Sequence, residues 1–154
     1  MKPFILLLLL LCFSTSIAQD EFTKDDAKAI IDTFFEGFHK GDTLMMTKVM
    51  MPDVVLQTAF TTGKGEEMVV TDSADKLLEA IANRPSEQKW DERLLSYEVQ
   101  IDGNLAHVWT PYEFYVNGNF SHCGANAFTL AKTSEGFKIL HLIDSRRRAS
   151  CKTD

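Results

Sequence analysis

A carboxylate and an imidazole, Glu113 and His122, flank the turn dipeptide Asn117-Gly118 in a stretch where apolar and polar residues alternate. If that dipeptide makes a two-residue hairpin turn, Val116 faces Asn119. Counting outward then sets Glu113 opposite His122 and Trp109 opposite Asn126, all sharing a face with Phe128. A carboxylate beside an imidazole on a half-apolar surface holds the parts for proton transfer, because burial raises the carboxyl pKa while pairing favours separated charge. The same two residues also suit a rim ion pair that only fixes strand register. A one-residue slip would turn Tyr112, Phe114 and Cys123 inward instead.

The last hairpin supplies a second set. With Lys132 opposite Phe137, the count places His141 beside Phe128 and Asp144 beside Ala125 on the other face, near Cys123 and Tyr112. Trp109, Tyr112, Asn126 and Asp144 are therefore the candidate ligand contacts, with Asp144 and Arg146 equally suited to a strand-end ion pair. Other chemistries find little support. His39, His107, His122 and His141 are scattered, with no pair at helical ligand spacing, so neither a metal nor another cofactor is expected. There is no Gly-x-Ser-x-Gly nucleophile segment, and Gly63-Lys64-Gly65 lacks the length and the Lys-Ser or Lys-Thr ending of a phosphate loop. The formal charge of −6 argues against nucleic acid as a partner, and Arg146-Arg147-Arg148 is the only dense basic run.

Those residues need elements to position them. Ala27, Ile30, Ile31, Phe34 and Phe38 recur at three- and four-residue steps behind Thr23, a helix cap, and ahead of His39-Lys40-Gly41, a stop signal. Asp42 caps a shorter helix that must end by Pro52. Residues 54–60 and 67–71 read as strands around the turn 62–65, and Asp72 or Ser73 caps a third helix carrying Leu77, Leu78 and Ile81. From Arg93 the period becomes two, and Asp102-Gly103, Asn117-Gly118 and Ser134-Glu135-Gly136 divide four strands into an antiparallel meander. The result is an α+β domain, ordered α-α-β-β-α-β-β-β-β, with helices backing one curved antiparallel sheet.

Lys2, the apolar run 4–13 and Ser16-Ile17-Ala18 make residues 1–18 an export signal too short to span a bilayer, leaving 19–154 as one domain, periplasmic or secreted, with no membrane attachment after its removal. Outside the signal, Cys123 and Cys151 form an even pair suited to a disulfide in that compartment, closing a loop of roughly 28 residues, although two free thiols use the same residues. Apolar residues on both faces of the meander, among them Leu105, Trp109, Leu140 and Leu142, leave one face uncovered by helices and predict a homodimer.

The element order, with the helix 27–38 and the closing Gly136-Phe137-Lys138-Ile139 strand, resembles the nuclear-transport-factor-2-like superfamily of cone-shaped folds, including its SnoaL-like and ketosteroid-isomerase-like members. Ser121-His122-Cys123-Gly124-Ala125-Asn126-Ala127-Phe128, with Asp144-Ser145-Arg146-Arg147 and Cys151, is similar to the exported bacterial branch; the likeness spans residues 23–151. It implies a pocket between sheet and helices. The leading expectation is a binding module for a small apolar or aromatic molecule. A cofactor-free acid–base isomerase or cyclase using Glu113 and His122, and a protein-interaction module using the open sheet face, are the alternatives.

Overall fold

The computed structural model describes residues 21–149 and Cys151; the expected export signal lies outside the described residues. Helix α1 spans Lys24–Lys40, opened by a capping box in which Thr23 and Asp26 bond each other's backbone N–H and closed by Gly41 in the left-handed conformation at φ 76°. Helix α2, Thr43–Val49, is capped by Asp42, and α3, Ala74–Ala82, by Ser73. The strands are β1 Met50–Thr61, β2 Glu67–Asp72, β3 Trp90–Leu94, β4 Glu98–Asp102, β5 Leu105–Val116, β6 Asn119–Thr133 and β7 Gly136–Arg147.

They form one curved sheet in the order β2-β1-β7-β6-β5-β3, with β4 also paired to β5. Neighbouring strands pair antiparallel except β1 and β7, which run parallel and make the sheet mixed. The stretch expected as one strand from Arg93 to Ile101 is two. Its break lies opposite Thr110-Pro111, between the pairs Leu94–Tyr112 and Glu98–Trp109. Pro111 has no N–H to give a neighbouring strand, so the ladder is interrupted there and resumes on either side, with the Leu95 N–H on the Pro111 carbonyl at 2.8 Å.

The apolar stripe of α1 lies across the concave face. Phe34 and Phe35 meet Phe128 of β6 edge-to-face at 5.9 and 6.1 Å, and Ile31, Met46, Ile81, Val108, Leu130 and Ile139 complete a buried core.

Two bulges reset the register counted from the turns. Asn117, at φ 53°, and Gly118, at φ 78°, do form the expected two-residue turn with Val116 opposite Asn119. Tyr115 then faces Phe120, but Phe114 faces His122, leaving Ser121 as an extra residue. The extra residue keeps Phe120 against Tyr115 at 5.7 Å while the Phe114 and His122 rings pack at 4.8 Å, tilted to each other, beyond it. In β7 Leu140 is likewise supernumerary, since Leu130 pairs with Ile139 and Thr129 with His141.

Candidate functional site

The first bulge dissolves the Glu113–His122 pair. Glu113 lies opposite Cys123 and Arg93, and its carboxylate accepts a 2.7 Å hydrogen bond from the Tyr115 hydroxyl. The neighbouring Arg93 guanidinium sits 4.0 Å over the Tyr115 ring. His122 belongs to the other face. Its ring packs on Phe114 and edge-on to Tyr112, and burial, then the Arg146 guanidinium, push its pKa down to about 4. Trp109 lies opposite Ala127 rather than Asn126 and is 40% exposed, away from the helices.

The second bulge has the opposite effect. It moves Asp144 from the expected place beside Ala125 to one beside Asn126, and Asn126 itself pairs with Thr110. Directly paired residues share a face, so Asn126 and Asp144 both enter the concave side. His141, expected beside Phe128, instead bonds Gln57 at 3.0 Å. Of the four candidate ligand contacts, Tyr112, Asn126 and Asp144 come together and Trp109 does not.

Asn126 and Asp144 line a cavity of about 260 Å³ between α1, α3 and the sheet, and Tyr112 reaches it only through its hydrogen bond to Asp144. One wall is apolar, built from Phe34, Phe35, Phe38, Leu56, Leu77 and Leu142. The other carries Glu92, Asn126, Asp144 and Arg146, with Asp72 and Lys76 toward the open side. Asp144 is held by three donors from three strands: Thr58 Oγ1 at 2.6 Å, the Tyr112 hydroxyl at 2.9 Å and Arg146 Nε at 3.3 Å. Burial, reinforced by Asp144 and Glu92, raises the Tyr112 phenol well above its ordinary pKa, so it serves as a fixed donor. Gly124 makes this possible. A Cβ there would stand 1.7 Å from the Ser145 carbonyl oxygen and 2.9 Å from the Tyr112 ring, so only glycine lets β7 and the ring close on β6.

Glu92 is the residue that sequence reasoning missed. Its carboxylate accepts from Asn126 Nδ2 at 2.8 Å, and its N–H donates to His39 Nε2 at 2.9 Å, which fixes that imidazole as an acceptor. Burial lowers the His39 pKa. The Glu92 side chain is half-buried and lines the cavity. Desolvation, opposed by the Asn126 bond and assisted by Asp144, raises its pKa to about 7. The signal was the alternation Trp90-x-Glu92-x-Leu94, which puts an acid in step with two core-facing residues.

Residues 23–141 match the family described as putative lumazine-binding. The chain belongs to that family. The fold of this lumazine-binding family member recurs in solved nuclear-transport-factor-2-like proteins, as expected from the sequence. One, from Cytophaga hutchinsonii, is 9% identical, with 81% of this chain and 98% of the other aligned at a TM-score of 0.65. A putative dehydratase of the same superfamily from Streptomyces avermitilis is 15% identical, covering 81% and 96% at a TM-score of 0.61. A conserved protein of Planctomyces limnophilus is 15% identical over 80% and 94%, with a TM-score of 0.63. Likeness at these identities shows the fold alone. No curated protein matches the chain.

Cys123 and Cys151 are joined by a disulfide across 28 residues, as the paired cysteines suggested. Among the described residues no helix is long and apolar enough to cross a membrane.

Proposed function

We propose that this is an exported domain that binds a small, flat, largely apolar molecule in the cone, with the ring against Phe34, Phe35 and Leu142 and its polar edge on Glu92 and Asn126. The observation that carries this reading is the division of the cavity, apolar on one wall and hydrogen-bonding on the other, around open volume. Asn126 is the only hydrogen-bond partner of the Glu92 carboxyl among the described residues, which leaves capacity for an occupant. A carboxyl titrating near neutrality can both donate and accept. Family membership supports the same class, since a lumazine is a flat bicyclic ring edged with carbonyls and ring nitrogens. The volume sits just below the usual range for ligand pockets, about 300–1,000 Å³, and suits one or two fused rings.

Export is supported by the apolar run 4–13 and by a disulfide, which persists in oxidising compartments. A homodimer is supported by Leu105 and Trp109, which leave apolar surface exposed on the sheet. A second reading, acid–base catalysis, passes from Glu113 and His122 to Glu92 beside Asp144, because those carboxylates share the cavity and Glu92 is poised near neutral pH.

Native mass spectrometry of the purified protein tests the binding reading. We expect a dimer that retains a small molecule, and loss of that molecule in Ala80→Trp, which places a bulky ring at the cavity's α3 side. A protein that carries nothing and binds no naphthalene-sized ring in titration overturns it.

A further inference from the structure

Arg146 lines three concavities. It lines the cavity, and it also lines a groove of about 640 Å³ between the β1–β2 hairpin and the end of β7, where Arg147 and Arg148 join it. Thr58 and Asp72 border both, so the groove continues the cavity outward. Its charge runs against that of the chain, which is −6 overall. Among the described residues the one carboxylate on the groove, Asp72, is matched by Lys76 Nζ at 2.6 Å. Arg146 engages Asp144 through Nε at 3.3 Å and also meets the Tyr112 hydroxyl, yet its side chain stays about half exposed on the groove.

The cavity and this groove therefore have opposite polarity. Glu92 and Asp144 repel an anion from the cavity's interior, whereas the arginines attract one at its mouth. We propose that the natural occupant is an aromatic acid: a neutral flat ring inside the cone, carrying on a short arm an anionic group, carboxylate or phosphate, that lies in the arginine groove. This rests on the ring-binding reading above and fixes the direction in which the ring enters. Arginine suits either anion, since its planar fork bonds both.

The test titrates the protein with three fluorescent naphthalenes that share one ring system: 2-naphthaleneacetamide, which is neutral, 2-naphthaleneacetate and 2-naphthyl phosphate. At low salt at least one acid is expected to bind about tenfold more tightly than the amide, with the advantage mostly gone at about 0.5 M salt. Whichever acid shows the larger advantage identifies the anion the groove prefers. In the Arg147→Gln/Arg148→Gln variant the acids should weaken about fivefold, as expected for two exposed charges, while the amide is unchanged and so reports an intact cavity. If amide and acids bind alike, or the variant leaves the acids' advantage intact, the groove proposal is wrong and the ring reading survives. If none of the three binds, both are wrong.

Discussion

Replacing Glu92 with glutamine removes a charge while keeping the shape and the acceptor oxygen that meets Asn126, so the variant isolates what ionising this side chain does to the fold. The carboxyl titrates at about 7 rather than near its ordinary 4.5. At about 1.4 kcal/mol per decade, that displacement penalises the folded state by at most about 3 kcal/mol once the group is ionised. Because the cavity lets water reach the carboxylate, about 2 kcal/mol is the more realistic figure. The folded pKa lies above the unfolded one, so the stability linked to this group is fully present below the unfolded value and is lost as pH rises through 7. Glu92→Gln should therefore match the wild type near about pH 4 and exceed it by about 2 kcal/mol, roughly 6–10 °C in Tm, at about pH 8.5. Urea unfolding across pH, followed by the fluorescence of Trp90, measures this. Trp90 is a suitable reporter because it packs on Phe38 at 5.5 Å beneath the Arg84 guanidinium. Contributions from other groups cancel in the difference, apart from coupling to Asp144. Parallel stability curves for the two proteins between about pH 5 and 8 would refute the account of Glu92 as a desolvated carboxyl.

Gly124→Ala should cost about 3 kcal/mol or more, because the new methyl would stand 1.7 Å from the Ser145 oxygen and force β7 or the Tyr112 ring aside; thermal unfolding within a degree or two of wild type would refute that. Cys151→Ser, by opening the 28-residue loop closed on Cys123, should lower stability by about 3–4 kcal/mol, and dithiothreitol should lower the wild type equally. Denaturant titration in both redox states measures this, and a reductant effect that persists in the variant would refute it.

What local chemistry specifies was legible in the sequence. The stripe from Ala27 to Phe38, the Thr23 cap, the Gly41 stop and the Asn117-Gly118 turn each act within a few residues, and each took the expected form. The parallel contact of β1 with β7 was not legible, because its partners are far apart in the chain and no turn joins them. The split between β3 and β4 had a visible cause in Pro111, but its effect falls on a neighbouring strand rather than on its own.

The candidate site failed and succeeded for one reason. Counting from a turn holds until a strand admits an extra residue, and whether it does so depends on which side chains pack best across the gap. At Ser121 two aromatic contacts, Tyr115 with Phe120 and Phe114 with His122, outweigh a regular ladder, and Glu113 loses His122. At Leu140 a second shift brings Asp144 round to Asn126. Between the bulges Gly124 lets the Tyr112 ring lie flat enough to reach Asp144. The polar wall of the cavity is therefore assembled by irregularities in β6 and β7, which turn Tyr112, Asn126 and Asp144 inward together. A perfectly regular meander of the same composition would put Asp144 on the face away from the helices and bring Glu113, in place of Tyr112, onto the face of Phe128.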